Sequence, residues 1–243
     1  MFTFPIGLAS SRSGISTPLE IFGADLDFWW DTTYPEGDVV ALVSGNVSQM
    51  IDLTATNTTG VQGTSTRRPA WTASDINGHH AAVFDGTDDR IAWTAWAQPT
   101  AGAIYAVAQQ TQAGTTALLT VTGGPTPRFG TTITGENKPN LTDAGTAEWA
   151  TAVTDYKIFR WSWDYSGGVG SEFLRIAVGN GAAVETGLGS GTTANFSVIN
   201  SSTNPSNMRL AFLAITAVHP TAQQHADMLA YLSDDTKFGS DVL

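Results

Sequence analysis

The chain has no cysteine and few basic residues. Without cysteine it can form no disulfide bond and offers no thiol for nucleophilic catalysis. It carries 11 Lys and Arg against 22 Asp and Glu, which gives a net charge of −11 at pH 7. Because nucleic acids and anionic membrane surfaces attract proteins through basic side chains, we predict neither as a partner.

Long apolar runs and common catalytic motifs are also missing. No apolar run approaches the roughly 20 residues of a membrane span. The apolar run at the start of the sequence is too short for the hydrophobic region of a signal peptide, and no basic residue precedes it. There is no Gly-x-Ser-x-Gly elbow, no His-Glu-x-x-His pair and no phosphate-binding loop. We therefore predict no signal peptide, no transmembrane segment and none of these enzyme classes.

The residues that are present indicate one large all-β domain. Of the 243 residues, 42% are apolar and eight are tryptophan, which is enough to fill a core between two stacked sheets. Short apolar stretches are separated by clusters of Gly, Thr, Asn and Pro, as in a sandwich or jelly roll. These stretches cover residues 39–43, 81–84, 103–108, 117–121, 157–163, 173–178, 196–199 and 209–218.

One predicted strand has a strongly aromatic face. Successive side chains of a strand point to opposite faces, so Phe159, Trp161 and Trp163 share one face. Ile158 and Arg160 lie on the other face. The pattern predicts that the aromatic face is turned toward the core.

Only the C-terminal part of the chain predicts a helix, over about residues 221–234. Thr221 and Gln224 have the spacing of a capping box, and apolar residues then repeat at helical intervals. Gly239 is placed to end the turn that follows.

The first 20 residues are rich in Ser, Gly and Pro and predict an extended N-terminal arm, with the folded domain covering residues 21–243. Phe2, Phe4, Ile6 and Leu8 alternate as in a strand. They predict an assembly arm that adds to a neighbouring sheet. The alternative is an unstructured end.

Three sequence features together carry a family resemblance. Arg68–Trp71 is a Pro-bounded edge, Asn77–Gly78 is a short turn, and Ala82–Asp89 is a strand that runs into an Asp-Gly turn. This order resembles the concanavalin A-like lectin and glucanase (LamG-like) jelly rolls of bacteriophage structural proteins. The resemblance implies an all-β sandwich of two antiparallel sheets with a short C-terminal helix packed beside it.

Glucanases of this architecture carry paired glutamates on one strand. No two glutamates of this chain lie two or four positions apart, although retaining hydrolysis needs two carboxyl groups roughly 5 Å apart. We therefore predict no catalytic residues and no enzyme activity. A divergent glycoside hydrolase with an Asp/Glu pair is the second alternative.

A turn with three aspartates has two interpretations. Asp85, Asp88 and Asp89 could supply part of a calcium shell, since Ca²⁺ prefers carboxylate and carbonyl oxygens on a flexible loop. The other interpretation is a tight turn in which Asp85 bonds to nearby backbone and Gly86 takes a positive φ. The loop lacks the ligand spacing of dedicated calcium sites, which favours the turn and predicts no cofactor.

Tryptophans near this turn are the candidate glycan-binding residues. Trp93 and Trp96 follow the turn directly, and Trp71 lies in the preceding segment. An exposed indole stacks on the apolar face of a sugar ring, while Asp88 and backbone amides can bind hydroxyls. The alternative is that these indoles fill the rim of the sandwich or an oligomer contact.

The leading hypothesis is a non-enzymatic bacteriophage virion structural protein, a capsid decoration or tail appendage on the virion surface. The resemblance, rather than the composition, supplies the phage role. Its predicted partners are other virion proteins and further copies of itself in a homo-oligomer, with a cell-surface glycan as a further candidate. The first alternative is a carbohydrate-binding adhesin module for host attachment.

Overall fold

The structure is a computed structural model that describes residues 14–54, 59–110, 117–121, 126–129, 138–142, 146–166, 172–187, 195–200 and 205–243. The strands are β1 (Leu26–Asp31), β2 (Val40–Val43), β3 (Asn46–Met50), β4 (Gly60–Val61), β5 (Ala70–Ile76), β6 (His79–Asp85), β7 (Ile91–Ala97), β8 (Ala101–Gln110), β9 (Leu119–Val121), β10 (Thr126–Arg128), β11 (Asn140–Thr142), β12 (Thr146–Glu148), β13 (Lys157–Asp164), β14 (Phe173–Val178), β15 (Val184–Gly187), β16 (Asn195–Ile199) and β17 (Asn207–Thr216). The helices are α1 (Pro18–Phe22), α2 (Glu36–Val39) and α3 (Ala222–Ser233), with 3₁₀ turns at Gly23–Asp25, Ser65–Arg67 and Ser240–Val242.

The strands pair in one long antiparallel path and one small sheet. The path runs β15-β14-β13-β8-β17-β6-β5-β3-β4-β7-β16-β9, while β1 pairs with β17 and β2 pairs with β3. Strands β10, β11 and β12 form the small sheet. The predicted all-β class is therefore confirmed.

The long path folds over on itself and encloses the main core. Rings from strands far apart in the path meet there: Phe28 of β1 lies 5.2 Å from Trp93 of β7, and Trp163 of β13 lies 5.9 Å from Phe196 of β16. The predicted aromatic face of β13 belongs to this core, where Trp161 and Trp163 are fully buried. The two layers make the sandwich that the sequence predicts, although they are joined edge to edge rather than separate.

A second apolar cluster covers the outer face of the central strands. Tyr105 of β8 and Phe212 of β17 are fully buried there beneath Met228 and Leu232 of α3. Strands β8 and β17 are therefore buried on both faces. This explains why their sequences are apolar almost throughout instead of alternating.

Helix α3 confirms the predicted C-terminal helix and its start. The Thr221 hydroxyl accepts from the Gln224 backbone N–H at 3.2 Å, and the Gln224 side chain accepts from the Thr221 N–H at 3.0 Å. Gly239 follows with φ of +77°, a conformation that favours glycine. No helix in the described part of the chain has the length and apolarity needed to cross a membrane.

The end of the predicted arm is folded onto the domain. Thr17 caps helix α1 through a capping box with Glu20, and the Phe22 ring lies 6.1 Å from that of Tyr105. Residues 18–20 are therefore helical rather than extended, because burial of Phe22 anchors this turn. The assembly-arm residues fall outside the described residues, so their role stays a prediction; they are Phe2, Phe4, Ile6 and Leu8.

Candidate functional site

A groove of about 780 Å³ opens beside the end of α3. Its walls come from the end of β5 (75–77), the start of β13 (155–157) and the C-terminal segment (235–243). The volume lies within the range of roughly 300–1,000 Å³ that is typical of small-molecule sites. This groove is our candidate functional site.

The predicted Asn-Gly turn positions one wall of the groove. Asn77 and Gly78 connect β5 to β6 with φ angles of +45° and +80°. Asn and Gly tolerate these angles, which suit a two-residue hairpin turn. The turn directs the Asn77 amide toward the C-terminal segment, where it donates to the carbonyls of Asp235 at 2.9 Å and Lys237 at 2.8 Å.

A second pair of contacts fixes the opposite wall. The Lys157 ammonium donates to the carbonyl of Asp241 at 2.9 Å and to that of Leu243 at 2.5 Å. The positive charge of Lys157 is therefore directed at backbone carbonyls rather than at the open groove.

Tyr156 is held in place by a carboxylate. Its hydroxyl donates to Asp75 Oδ2 at 2.6 Å, while the Arg209 guanidinium forms an ion pair with Asp75 Oδ1. Burial and the bond to Asp75 raise the pKa of Tyr156. Tyr156 is therefore an uncharged phenol, and its ring lines the groove.

The groove is acidic at its rim and apolar below. Exposed carboxylates lie at Asp155, Asp235 and Asp241. The buried lining residues are apolar; they are Ile76, Phe238 and Val242. Carboxylates accept hydrogen bonds from hydroxyl groups and repel anions. The surface thus suits an uncharged ligand that carries many hydroxyls.

The prediction that Trp93 is a glycan platform is wrong. Its side chain is only 6% exposed, and its ring packs edge-on against Phe28 in the main core. On β7, Ile91 and Trp93 share the inward face because alternate side chains point the same way. Trp96 also lies on β7, but its side chain falls outside the described residues.

Trp71 is half-buried and partly covered. Its ring stacks on His80 at 5.0 Å, and its Nε1 donates to a Glu36 carboxylate oxygen at 3.0 Å. One face of the indole is therefore occupied. Neither Trp71 nor Asp88 lines the groove, so the structure does not bring these candidates together with it.

The Asp85 segment has the contacts of a tight turn. Asp85 Oδ1 accepts from the backbone N–H groups of Thr87 at 2.8 Å, Asp88 at 3.2 Å and Asp89 at 3.3 Å. Gly86 has φ of +72°, as the turn interpretation predicts. The Asp89 side chain completes the turn by accepting from the Asp85 N–H at 3.0 Å.

The three carboxylates of this turn also lie close together. Each of Asp85, Asp88 and Asp89 has a carboxylate oxygen that lies within 4.8 Å of a carboxylate oxygen of the other two. Burial and the charges of Asp85 and Asp88 raise the pKa of Asp89 to about 6. Arg67 lies 3.4 Å from Asp88 and offsets part of the charge. The hydrogen bonds of the turn account for the cluster without an ion, and calcium binding stays the untested alternative to the turn interpretation.

Sequence reasoning did not find the groove. Its residues lie up to 168 positions apart, from Asp75 to Leu243, and none belongs to a catalytic or metal-binding motif. The one available signal was Asn77–Gly78, which we interpreted as a turn and not as part of a site.

No protein-family model matches the chain, and no curated protein matches it either. Several solved structures are similar in fold. The ligand-binding domain of botulinum neurotoxin serotype D, solved with N-acetylneuraminic acid, matches at 6% identity with a TM-score of 0.60, over 88% of this chain and 53% of that one. This chain thus spans about half the length of that domain.

Two further matches are a domain of an arabinanase and an arabinofuranosidase. Domain 4 of an extracellular arabinanase from Geobacillus stearothermophilus, solved with arabinotriose, matches at 14% identity with a TM-score of 0.52, over 84% of this chain and 98% of that one. An arabinofuranosidase matches at 9% identity with a TM-score of 0.51, over 76% of this chain and 51% of that one. At these identities the similarity concerns the fold. The chain therefore shares the β-sandwich fold of these proteins.

Proposed function

We propose that the chain is a carbohydrate-binding domain whose groove takes an uncharged oligosaccharide. The observation that carries the proposal is the combination of three exposed carboxylates and Tyr156 above an apolar floor. Sugars present hydroxyl groups at their edges and C–H groups on their faces. Such a ligand can therefore use both the acidic rim and the half-buried Tyr156 ring.

The similar structures support this proposal. The arabinanase domain was solved with arabinotriose, and this chain covers 98% of that domain. The toxin domain was solved with N-acetylneuraminic acid, which is an anionic sugar. The acidic rim of the groove favours a neutral sugar such as arabinotriose over an anionic one.

We propose a binding role without catalysis. Among the residues that the structure describes no glutamate lines the groove, and no two glutamates lie two or four positions apart in the sequence. Asp155, Asp235 and Asp241 are exposed, whereas the general acid of a glycosidase such as lysozyme lies in a hydrophobic pocket. Release of reducing sugar from an oligosaccharide during long incubation would overturn this part of the proposal.

The virion role stays a prediction from the sequence resemblance. It requires the chain to assemble with copies of itself or with other virion proteins. Because residues 14–22 are part of the folded domain, the matched test compares the full chain with one that lacks residues 1–13. Light scattering that shows an oligomer for the first and a monomer for the second would support an assembly arm. Identical masses would remove that support.

The groove is tested with substitutions that leave the fold intact. Asp155 and Asp241 are exposed, so combining Asp155→Ala with Asp241→Ala should leave the unfolding temperature unchanged. We expect calorimetric titration with arabinotriose and related neutral oligosaccharides to show binding that this double variant weakens about tenfold. Trp71→Ala is the control, because Trp71 lies outside the groove. Equal affinity of wild type and double variant would refute the proposed site.

A further inference from the structure

A cluster of cationic and histidine side chains lies on the sheet surface away from the groove. Arg160 and Arg175 extend from β13 and β14, His219 from the β17–α3 connection, and His225 from α3. None of the four lines the groove, and each is only partly buried. We call these four residues the cationic cluster.

The register of the sheet brings the two arginines together. Arg160 pairs with Tyr105 of β8, while Arg175 pairs with Ser162, two residues after Arg160. Side chains at such diagonal positions of an antiparallel pair lie roughly 7–8 Å apart on one face. Arg160 and Arg175 are therefore close neighbours despite their like charge.

The two histidines lie over this pair of arginines. His225 Nδ1 is 3.2 Å from the Tyr105 hydroxyl, and His219 Nε2 is 3.4 Å from Arg175 Nη1. The Phe173 ring contacts both Arg175 and His219, with the Arg175 Cζ atom 3.9 Å from the ring centroid. The Phe173 ring thus supports the Arg175 guanidinium from one side.

Glu185 and Asp164 are the described carboxylates that offset part of the charge of the cluster. Arg175 pairs with Glu185, but among the described residues Arg160 forms no ion pair; its guanidinium contacts the Tyr105 hydroxyl, and its buried Nε has no hydrogen-bond partner. Its neighbour Tyr105 is an uncharged phenol, because burial raises the pKa of that side chain. A half-buried cation without a counter-charge is unfavourable, and a bound anion would relieve it.

We infer that the cationic cluster binds an oxyanion, a carboxylate or a phosphate group, with Arg160 as its main ligand. The guanidinium fork suits both groups, because each presents two oxygens to parallel N–H donors. An acidic sugar and free inorganic phosphate are two sources of this chemistry. The surface is opposite in charge to the groove, so this inference does not depend on the groove proposal.

Binding should strengthen as the pH falls. Burial and the charges of Arg160 and His219 lower the pKa of His225 to about 4. Burial and Arg175 lower the pKa of His219, which Asp164 and Glu185 partly oppose. A bound anion favours the protonated form of both rings and raises both pKa values, so glucuronate, which stays ionised over this range, should bind more tightly at pH 5 than at pH 7.

The test is an NMR titration of the histidine rings of the full chain at low salt. The probes are glucuronate, inorganic phosphate and, as the neutral control, methyl glucoside. We expect saturable shifts of the His219 and His225 signals with an anion and none with methyl glucoside. His79 and His80 lie elsewhere and are internal controls. The His79 ring contacts the Thr236 carbonyl, and the His80 ring stacks on Trp71.

Charge variants separate specific binding from general attraction. Arg160→Gln should weaken anion binding about tenfold, whereas Arg67→Gln makes the same charge change elsewhere and should leave the affinity unchanged. Response to glucuronate alone identifies a sugar acid, response to phosphate alone identifies phosphate, and either supports the inference. The inference is refuted if neither anion shifts His225, or if both variants bind alike. If Arg160→Gln does not fold, the inference is still tested by comparing the anion-induced shifts of the His225 and His79 signals in the wild-type protein.

Discussion

Replacing Tyr231 with phenylalanine should destabilise the domain, because the Tyr231 hydroxyl donates a hydrogen bond to a carboxylate that has no access to water. Asp31, at the end of β1, is completely buried. The Tyr231 hydroxyl donates to Asp31 Oδ2 at 2.5 Å, and the Thr33 backbone N–H donates to Oδ1 at 2.8 Å. Lys237 is the nearby cation, with its ammonium 3.7 Å from Oδ2.

The structure sets the size of the expected loss. A hydrogen bond to a charged group contributes roughly 1.5–3 kcal/mol. Tyr231→Phe keeps the buried ring, and Asp31 keeps Thr33 and Lys237, so we expect a loss of about 2 kcal/mol in the free energy of unfolding. At about 2–4 °C per kcal/mol for a chain of this size, the melting temperature should fall by roughly 4–8 °C.

Urea denaturation followed by tryptophan fluorescence measures this loss, with Tyr156→Phe as the matched comparison. Tyr156 also donates to an aspartate, but Asp75 keeps its ion pair with Arg209. We therefore expect Tyr156→Phe to cost about 1 kcal/mol or less. The reasoning is refuted if Tyr231→Phe costs no more than Tyr156→Phe.

Three further predictions concern pH, packing and metal. His225 has a folded pKa of about 4 against an ordinary value of 6.5, so its contribution to stability is present above pH 6.5 and is lost as the pH falls toward 4. His225→Gln should reduce the pH dependence of the free energy of unfolding over this range by up to about 2 kcal/mol, allowing for solvent screening; urea denaturation measures it, and an unchanged pH dependence would contradict this. A Cβ at Gly102 would lie 2.6 Å from the Thr216 carbonyl oxygen, so Gly102→Ala should lower stability by about 1–3 kcal/mol, whereas Gly63→Ala, with open space, should not. The turn interpretation predicts that Asp88→Ala changes the melting temperature equally with calcium and with chelator; a loss seen only with calcium would establish the metal site.

Local patterns were sufficient to predict several elements of the secondary structure and the all-β fold class. The capping box at Thr221, the Asn77–Gly78 turn and the alternation around Trp161 each depend on residues close together in the chain. Such signals need no knowledge of the tertiary structure. The structure confirms all three.

Local sequence patterns could not predict the proposed functional surfaces, because these surfaces form where segments that are distant in the sequence come together. The position of Trp93 in the sequence does not reveal that β7 folds over β1 and buries the indole against Phe28. In the same way, Tyr156 joins the groove only because the C-terminal segment returns to the start of β13. Helix α1 was missed because its Ser-, Gly- and Pro-rich surroundings concealed a single turn that Phe22 anchors.

Backbone amide NMR of the full chain, with a neutral oligosaccharide such as arabinotriose added, tests the central claim most directly. The account predicts saturable shifts at residues 75–77, 155–157 and 235–243, which line the groove. The shifts should largely disappear in the chain that combines Asp155→Ala with Asp241→Ala. Shifts confined to residues 85–97, around the Asp85 turn and β7, would contradict the groove as the binding site. Absence of any shift across a panel of neutral oligosaccharides would contradict the carbohydrate-binding role itself.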